Sequence, residues 1–233
     1  MAFFRCAATA ALLTLTTASS SVKRGLCVVP SAHEHEDSAI WTTHPGSNLT
    51  WYYNYGPEPT EEYENTPGLE FVPMLWGGPY GDSHGTEFLD AIRRQIKHGS
   101  NITHVLGFNE PDGPALSGGS DILPQIAAEE WKKQLEPLKK EGIKLGAPAI
   151  TGSPRGTMWL QDFFTYCDGG CNPDFLAVHY YSTFEYMASE LGKLTVAYPS
   201  LPIWVTEWGY DHQDLHATQW HFNQSIRLFE DWR

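Results

Sequence analysis

The sequence predicts an α/β fold of the (β/α)8, TIM-barrel type, with seven strands and no eighth. Seven short, apolar, β-prone segments follow one another along the chain, each running into a polar residue, an aromatic or a Gly/Pro turn. Segments with apolar residues at helical spacing separate most of them, which is the signature of βα repetition. An open doubly wound sheet is the alternative, but no Gly-rich phosphate loop follows the first strand.

The first strand is expected at Arg24–Pro30, followed by His33-Glu34-His35-Glu36-Asp37, which reads as a solvated loop or helix start rather than a metal site. Leu49–Gly56 is aromatic and β-prone and carries Tyr53 and the polar Asn54; Glu58–Gly68 is loop; Leu69–Gly78 is the third strand, ending in Trp76 and a double glycine. A helix over Thr86–His98 presents Phe88, Leu89, Ile92 and Ile96 on one face, and Gly99 stops it. Thr103–Phe108 is strand four. A flexible, lid-like loop is expected at Gly113–Ser120. Pro124 opens the next helix, with Trp131, Leu135 and Leu138 buried, Pro137 bending or shortening it and Gly142 ending it. Ile143–Ile150 is strand five, and Trp159, Leu160, Phe163 and Phe164 mark the helix after it. Asp174–Tyr181 is strand six; Phe184, Met187, Leu191 and Leu194 repeat at helical spacing behind it. Pro202–Gly209 is strand seven, and His216–Trp232 is a last helix with Phe222, Ile226 and Phe229 inward.

Strands four and seven share a design. Leu106-Gly-Phe-Asn109-Glu110-Pro111-Asp112 ends an apolar strand in a glutamate, because Pro111 lacks an N–H and biases Glu110 away from helix. Ile203-Trp-Val-Thr-Glu207-Trp208-Gly209 does the same. Either glutamate alone reads as a surface residue in a turn. Together, at the carboxyl ends of parallel barrel strands, they point to one face and to paired acid and nucleophile chemistry on a glycosidic bond.

Composition agrees with a soluble sugar-handling protein. Nine Trp and eleven Tyr in 233 residues exceed what a core needs, and aromatics in a groove stack on sugar rings. The net charge of −13 disfavours nucleic acid, an anionic membrane or a strongly acidic polysaccharide as partner. Residues 1–20 read as a secretory signal, with Arg5 followed by an apolar run from Ala7 to Leu15 too short to span a bilayer. Lys23-Arg24 reads as the entry to the first strand in preference to a dibasic processing site. In a secreted chain Cys167 and Cys171 are close enough for a disulfide across a tight loop; a zinc site there lacks a second ligand pair. Cys27 is expected to be a buried thiol. Asn48, Asn101 and Asn223 stand in glycosylation sequons.

At Leu-Gly-Phe-Asn-Glu-Pro-Asp, Val-Pro-Met-Leu-Trp-Gly, Ala-Val-His-Tyr-Tyr and Trp-Val-Thr-Glu-Trp-Gly the sequence resembles glycoside hydrolase family 128, the endo-β-1,3-glucanases and related glucan-binding proteins. The resemblance runs from Lys23 to about Gly209. It implies that Glu110 is the general acid/base and Glu207 the nucleophile of a retaining reaction. Asn109 is suited to hydrogen-bond a sugar hydroxyl, and His179 or Tyr181 to donate to Glu207. Tyr53, Asn54 and Trp76, with Trp51, are placed to line sugar subsites, and Trp208 either packs under the nucleophile or faces the groove. The loop after Asp112, Gly-Pro-Ala-Leu-Ser-Gly-Gly-Ser, departs from the family's polar segment. The resemblance also implies an eighth strand that the sequence to Arg233 does not supply. Residues 21–233 are therefore expected to form a C-terminally incomplete catalytic domain, poorly stable and weakly active alone. The expected partner is β-glucan, bound by a secreted monomer of the extracellular space or cell wall without metal or cofactor. The competing readings are a glucan-binding wall protein that has lost turnover, and a metalloenzyme using His212, His216 and His221.

Overall fold

The computed structural model describes residues 23–29, 35–44, 46–78 and 85–232. The segment read as a signal, residues 1–20, lies outside them, as do His33 and Glu34. Seven strands and their helices follow in order: β1 Gly25–Cys27, α1 His35–Thr43, β2 Trp51–Tyr53, β3 Glu70–Phe71, α2 Glu87–Lys97 and β4 His104–Val105 come first. After them come α3 Pro124–Glu130, α4 Glu136–Lys139, β5 Lys144–Leu145, α5 Pro154–Cys167, β6 Leu176–Tyr181, α6 Phe184–Ala197, β7 Ile203–Gly209 and α7 Leu215–Asp231. All pairings are parallel: β1 with β2, β2 with β3, β4 with β5, and β6 with β7. Single bridges join the pieces in chain order, Met74 to Leu106, Asn109 to Ala149, Gly146 to Phe175 and Ile150 to Val178.

The strands are shorter than the sequence suggests, and the cause is local. Pro73 and Pro148 have no N–H for a ladder, and Gly107 and Gly146 sit where chains approach closely. A Cβ on Gly146 would lie 2.7 Å from the Phe175 ring, so glycine there makes room for an aromatic inside the sheet. Among the described residues no ladder joins β7 to β1, so a closed barrel is not formed by strand pairing. The fold is α/β with short parallel strands.

Period-two alternation sorts the strand residues into two apolar layers. One packs inside the curve of the sheet: Tyr53, Val72, Met74, Leu106, Ala149, Phe175 and Ala177, with Cys27, Trp51, Tyr55, Trp76 and Trp204 against them. Its floor is aromatic. Trp204 stacks on Phe175 at 4.2 Å and meets Trp51 at 4.9 Å and His104 at 5.2 Å. The other layer lies between strands and helices and centres on Trp131, Leu135, Leu138, Leu145, Phe163 and Leu191. Trp131 is fully enclosed, edge-on to Phe163 at 5.7 Å, and truncating it would cost about 3–5 kcal/mol.

Pro137 acts differently from the expected bend. Trp131–Leu135 winds as a π-helical turn between α3 and α4, which accommodates a proline that cannot donate to the turn before it. Two residues expected inward are not: Ile96 and Phe222 are 38% and 52% exposed, Ile96 because it sits in the last turn of α2, beyond the buried stripe. The loop at Gly113–Ser120 is not a free lid. It contains a short 3-10 turn, Ala115–Ser117, and is tied by Gly113 N–H to Glu110 O, Ser120 N–H to Asn109 O and Asn109 Nδ2 to Gly118 O. Cys167 and Cys171 form a disulfide, Cα–Cα 5.4 Å, pinning the end of α5 to the approach to β6; this removes the zinc alternative. Finally, α7 spans from β7 back to β1. Lys23 Nζ donates to the carbonyls of Phe229, Glu230 and Trp232 at 2.9–3.0 Å, and Arg24 pairs with Glu230 at 2.8 Å.

Candidate active site

The carboxyl ends of β4, β6 and β7 converge. Glu110 follows the β4 track, its N–H bonded to Ala149 O at 2.8 Å, with its backbone in the left-handed region at φ 40°. A non-glycine residue holds that conformation only where its surroundings impose it. Here Pro111 follows and the tied loop closes back on the Glu110 carbonyl. Glu207 lies in β7, paired with His179 of β6, and a register shift at Val178/His179 brings the two side chains onto the same face. His179, fully buried, sits between the glutamates. Its Nδ1 is 3.0 Å from Glu110 Oε1, and its Nε2 is 3.4 Å from Glu207 Oε1, a close approach out of line for a hydrogen bond. Glu110, His179 and Glu207 each offer an atom such that all three lie within 4.8 Å of one another.

Glu207 is held by phenols. Tyr55 Oη donates to Oε1 at 2.6 Å, Tyr53 Oη lies 3.2 Å from Oε1 and from Thr206 O, and Tyr181 Oη donates to Oε2 at 2.8 Å. Burial first, and the negative groups nearby after it, push all three phenols far above the ordinary tyrosine range, so they remain donors at any physiological pH. Cys27 Sγ donates to Tyr55 Oη at 3.0 Å, and burial raises its thiol as well.

Other expected site residues fare unevenly. Asn109 is buried beside Glu110; its Nδ2 is engaged by Gly118 O, while its Oδ1 is enclosed without a protein partner. Trp76 ends the β3 track in the inner layer, its carbonyl accepting from Asn109 N–H at 2.9 Å. Asn54 is spent on its own turn, donating to Glu58 O at 2.8 Å and accepting from Gly56 N–H, and makes no bond to the carboxylates. Trp208 points away from the glutamates, as strand alternation requires of the residue after Glu207, stacking on Phe222 and meeting Phe229 edge-on, both in α7. Tyr55 and Cys27 were not picked out by the sequence. The signal for Tyr55 is its place two residues beyond Tyr53, on the same side of the chain; the turn at Gly56 masks it.

The glutamate–histidine trio is also the described cluster with metal-ligand chemistry. Phenols donate to both oxygens of Glu207, which suits a free carboxylate better than a metal ligand. His212, His216 and His221 do not gather as a ligand set among the described residues; His221 is buried and stacks on Tyr210 instead. A cleft of about 1650 Å³ runs between β1 and β7 from Glu207 and Tyr181 to Lys23 and Trp232 and does not include Glu110. It reaches only the Glu207 side of the pair.

Paired carboxylates at the ends of parallel α/β strands define a glycosidase-type site. A family model described as "Glycosyl hydrolase catalytic core" matches residues 25–232, and the chain belongs to that family. Solved structures place it more narrowly, with glycoside hydrolase family 128, as the four motifs anticipate. A curdlan-specific exo-β-1,3-glucanase of subgroup III from Blastomyces gilchristii, in complex with glucose, is 28% identical over 89% of this chain and 84% of its own, with a TM-score of 0.67. A subgroup II endo-β-1,3-glucanase from Pseudomonas viridiflava is 26% identical over 91% and 83%, TM-score 0.66. A subgroup VII oligosaccharide-binding protein from Trichoderma gamsii is 25% identical over 83% and 74%, TM-score 0.62. No curated protein matches significantly.

Proposed function

We propose that the chain is a secreted retaining glycoside hydrolase that cleaves β-1,3-glucan by double displacement, within a (β/α)8-type frame, as a monomer without metal or cofactor. The observation that carries this is the carboxylate spacing. Oxygens of Glu110 and Glu207 approach within 4.8 Å, near the roughly 5–5.5 Å of retaining enzymes and short of the about 6.5–9.5 Å that inverting enzymes need for a water.

In the first step a Glu207 oxygen attacks the anomeric carbon. The carbon–oxygen bond to the leaving sugar breaks, and Glu110 gives its proton to that oxygen. In the second step Glu110, now a carboxylate, takes a proton from water as the water oxygen displaces Glu207 from the same carbon. The phenols around Glu207 steady its charge before attack and after release, and His179, bonded to Glu110, orients the acid. Asn109, buried next to Glu110 and bonded to the loop at Gly118, holds the backbone that presents the acid. Secretion is supported by the apolar run after Arg5, and carbohydrate addition by the exposure of Asn101 and Asn223. Asn48 is a poorer acceptor, half-buried and bonded to Arg24 at 3.3 Å.

The subgroup VII oligosaccharide-binding proteins support a second reading, in which the groove binds β-glucan oligosaccharides without turnover. Release of reducing ends from a panel of β-1,3-, β-1,4- and β-1,6-glucans, run with Glu207→Gln as control, separates the two. Hydrolysis confined to β-1,3-glucan and lost in the variant is the expected result. Binding without release by the native chain would favour the second reading.

A further inference from the structure

We propose that Cys27 is a positioning residue for Glu207, acting through Tyr55 in a relay of thiol, phenol and carboxylate. The inference rests on the reading of Glu207 as nucleophile and concerns how its charge and orientation are set.

Tyr55 has one phenolic proton, and the short 2.6 Å contact spends it on Glu207 Oε1. Its oxygen still has lone pairs, and Cys27 Sγ lies 3.0 Å away, so the S–H can only be donating. Donation into a phenol oxygen polarises its O–H bond and strengthens the bond it makes onward. A thiolate would do the reverse, competing for the same proton and repelling Glu207. Burial raises the thiol and so keeps the proton on sulfur.

The backbone fits the same role. Cys27 is the last residue of β1, while Tyr55 stands beyond the end of β2 in the left-handed region at φ 64°. A bulky aromatic does not adopt that conformation unaided. Its ring meets Tyr53 edge-on at 5.2 Å, and its hydroxyl is fixed by the thiol on one side and the carboxylate on the other. Without Cys27 the phenol loses one of the two polar contacts that hold it there. Tyr181 reaches Glu207 from another direction; Tyr53 also faces the thiol but lies 3.2 Å from Oε1, so the shorter Tyr55 bond carries most of the effect. Cys27 lines the cleft between β1 and β7, on the nucleophile's side of the site.

The test is a double-mutant cycle on β-1,3-glucan turnover with pH profiles, using Cys27→Ala, Cys27→Ser, Tyr55→Phe and Cys27→Ala/Tyr55→Phe. Cys27→Ala is expected to lower kcat about 3–10-fold with KM little changed, and to move the acidic limb of kcat/KM to higher pH. Cys27→Ser, which keeps a donor, restores both. The double variant is expected to be little slower than Tyr55→Phe, since only the weaker Tyr53 contact is left for the thiol to act through. Full additivity, or a Cys27→Ala enzyme with native rates and profile, overturns the relay. Carbon-13 NMR titration of the Glu207 carboxyl gives a readout that does not require turnover. A midpoint that rises in Cys27→Ala but not in Cys27→Ser supports the relay even in a chain that only binds glucan, where the catalytic reading alone would have failed. An unmoved midpoint removes the relay whatever the activity.

Discussion

The two glutamates of the site are neighbours with opposite surroundings. Glu207 sits within β7, just past the irregularity in its pairing with β6, and both of its oxygens accept phenol protons. Glu110 sits just past a strand end on left-handed backbone, and among the described residues its side chain bonds to His179. Under the proposed mechanism, the group that carries negative charge into a bond is the one surrounded by donors, and the group that releases and recovers a proton is the one with fewer partners. The fold produces this asymmetry by placing tyrosines from β2 and β6 around the end of β7 and a closed loop around the end of β4.

The largest effect is expected where the asymmetry is removed at its source. Glu207→Gln should lower hydrolysis of β-1,3-glucan on the order of 10⁴-fold or more, because an amide cannot form the glycosyl ester, while binding by calorimetry stays near native. Retained turnover would exchange the two roles or dismiss them. Glu110→Gln should cost about 10²–10⁴-fold on polysaccharide and far less on an activated aryl glycoside, whose leaving group needs no proton. Equal losses on both substrates would show that Glu110 is not the acid.

Tyr181→Phe removes a single charge-assisted hydrogen bond of the kind worth about 1.5–3 kcal/mol, so kcat should fall roughly 10–100-fold with the melting temperature nearly unchanged. A purely thermal effect would make Tyr181, half exposed as it is, a packing residue.

A smaller, global effect follows from titration. Burial lifts Tyr53 and Tyr55 in the folded state above their unfolded values near about 10. The stability tied to their protonated forms is fully present below that pH. It is lost as pH rises beyond it, where only the unfolded chain sheds the protons. Melting temperatures should hold up to about pH 10 and decline above it, less so in Tyr55→Phe. On the acid side Asp174 is buried enough to resist ionisation, yet Leu145 N–H and Lys139 and Lys144 outweigh this and lower it. Its contribution is present above the ordinary carboxylate value and fades as pH falls through the lowered one, modestly, since the group is part exposed.

Much of this site was legible from spacing. A proline after Glu110 and the end of the apolar run Ile203–Val205 locate both carboxylates, whereas the sequence leaves Trp208 open between a place under Glu207 and the groove, and the structure turns it onto α7. The disulfide follows from four-residue separation. What spacing does not carry is contact across the interior. Tyr55 and Cys27 reach Glu207 from strands about 150 and 180 positions away in sequence, and no local period encodes that meeting. Asn54 looked equally suited to a sugar, but a short polar side chain beside Gly56 satisfies its own turn first. Strand lengths were overread because apolar β-prone runs continue through Pro73 and Pro148, where the ladder cannot.

The clasp of Lys23 and Arg24 on α7 joins residues 206–209 positions apart. During synthesis, β1 therefore leaves the ribosome long before its partner exists. The edge of β1 must wait, uncovered at the cleft, while the intervening βα units assemble in order. Chaperones or neighbouring chains that recognise open strand edges have that interval in which to act, and it ends when the helix carbonyls arrive to meet the lysine.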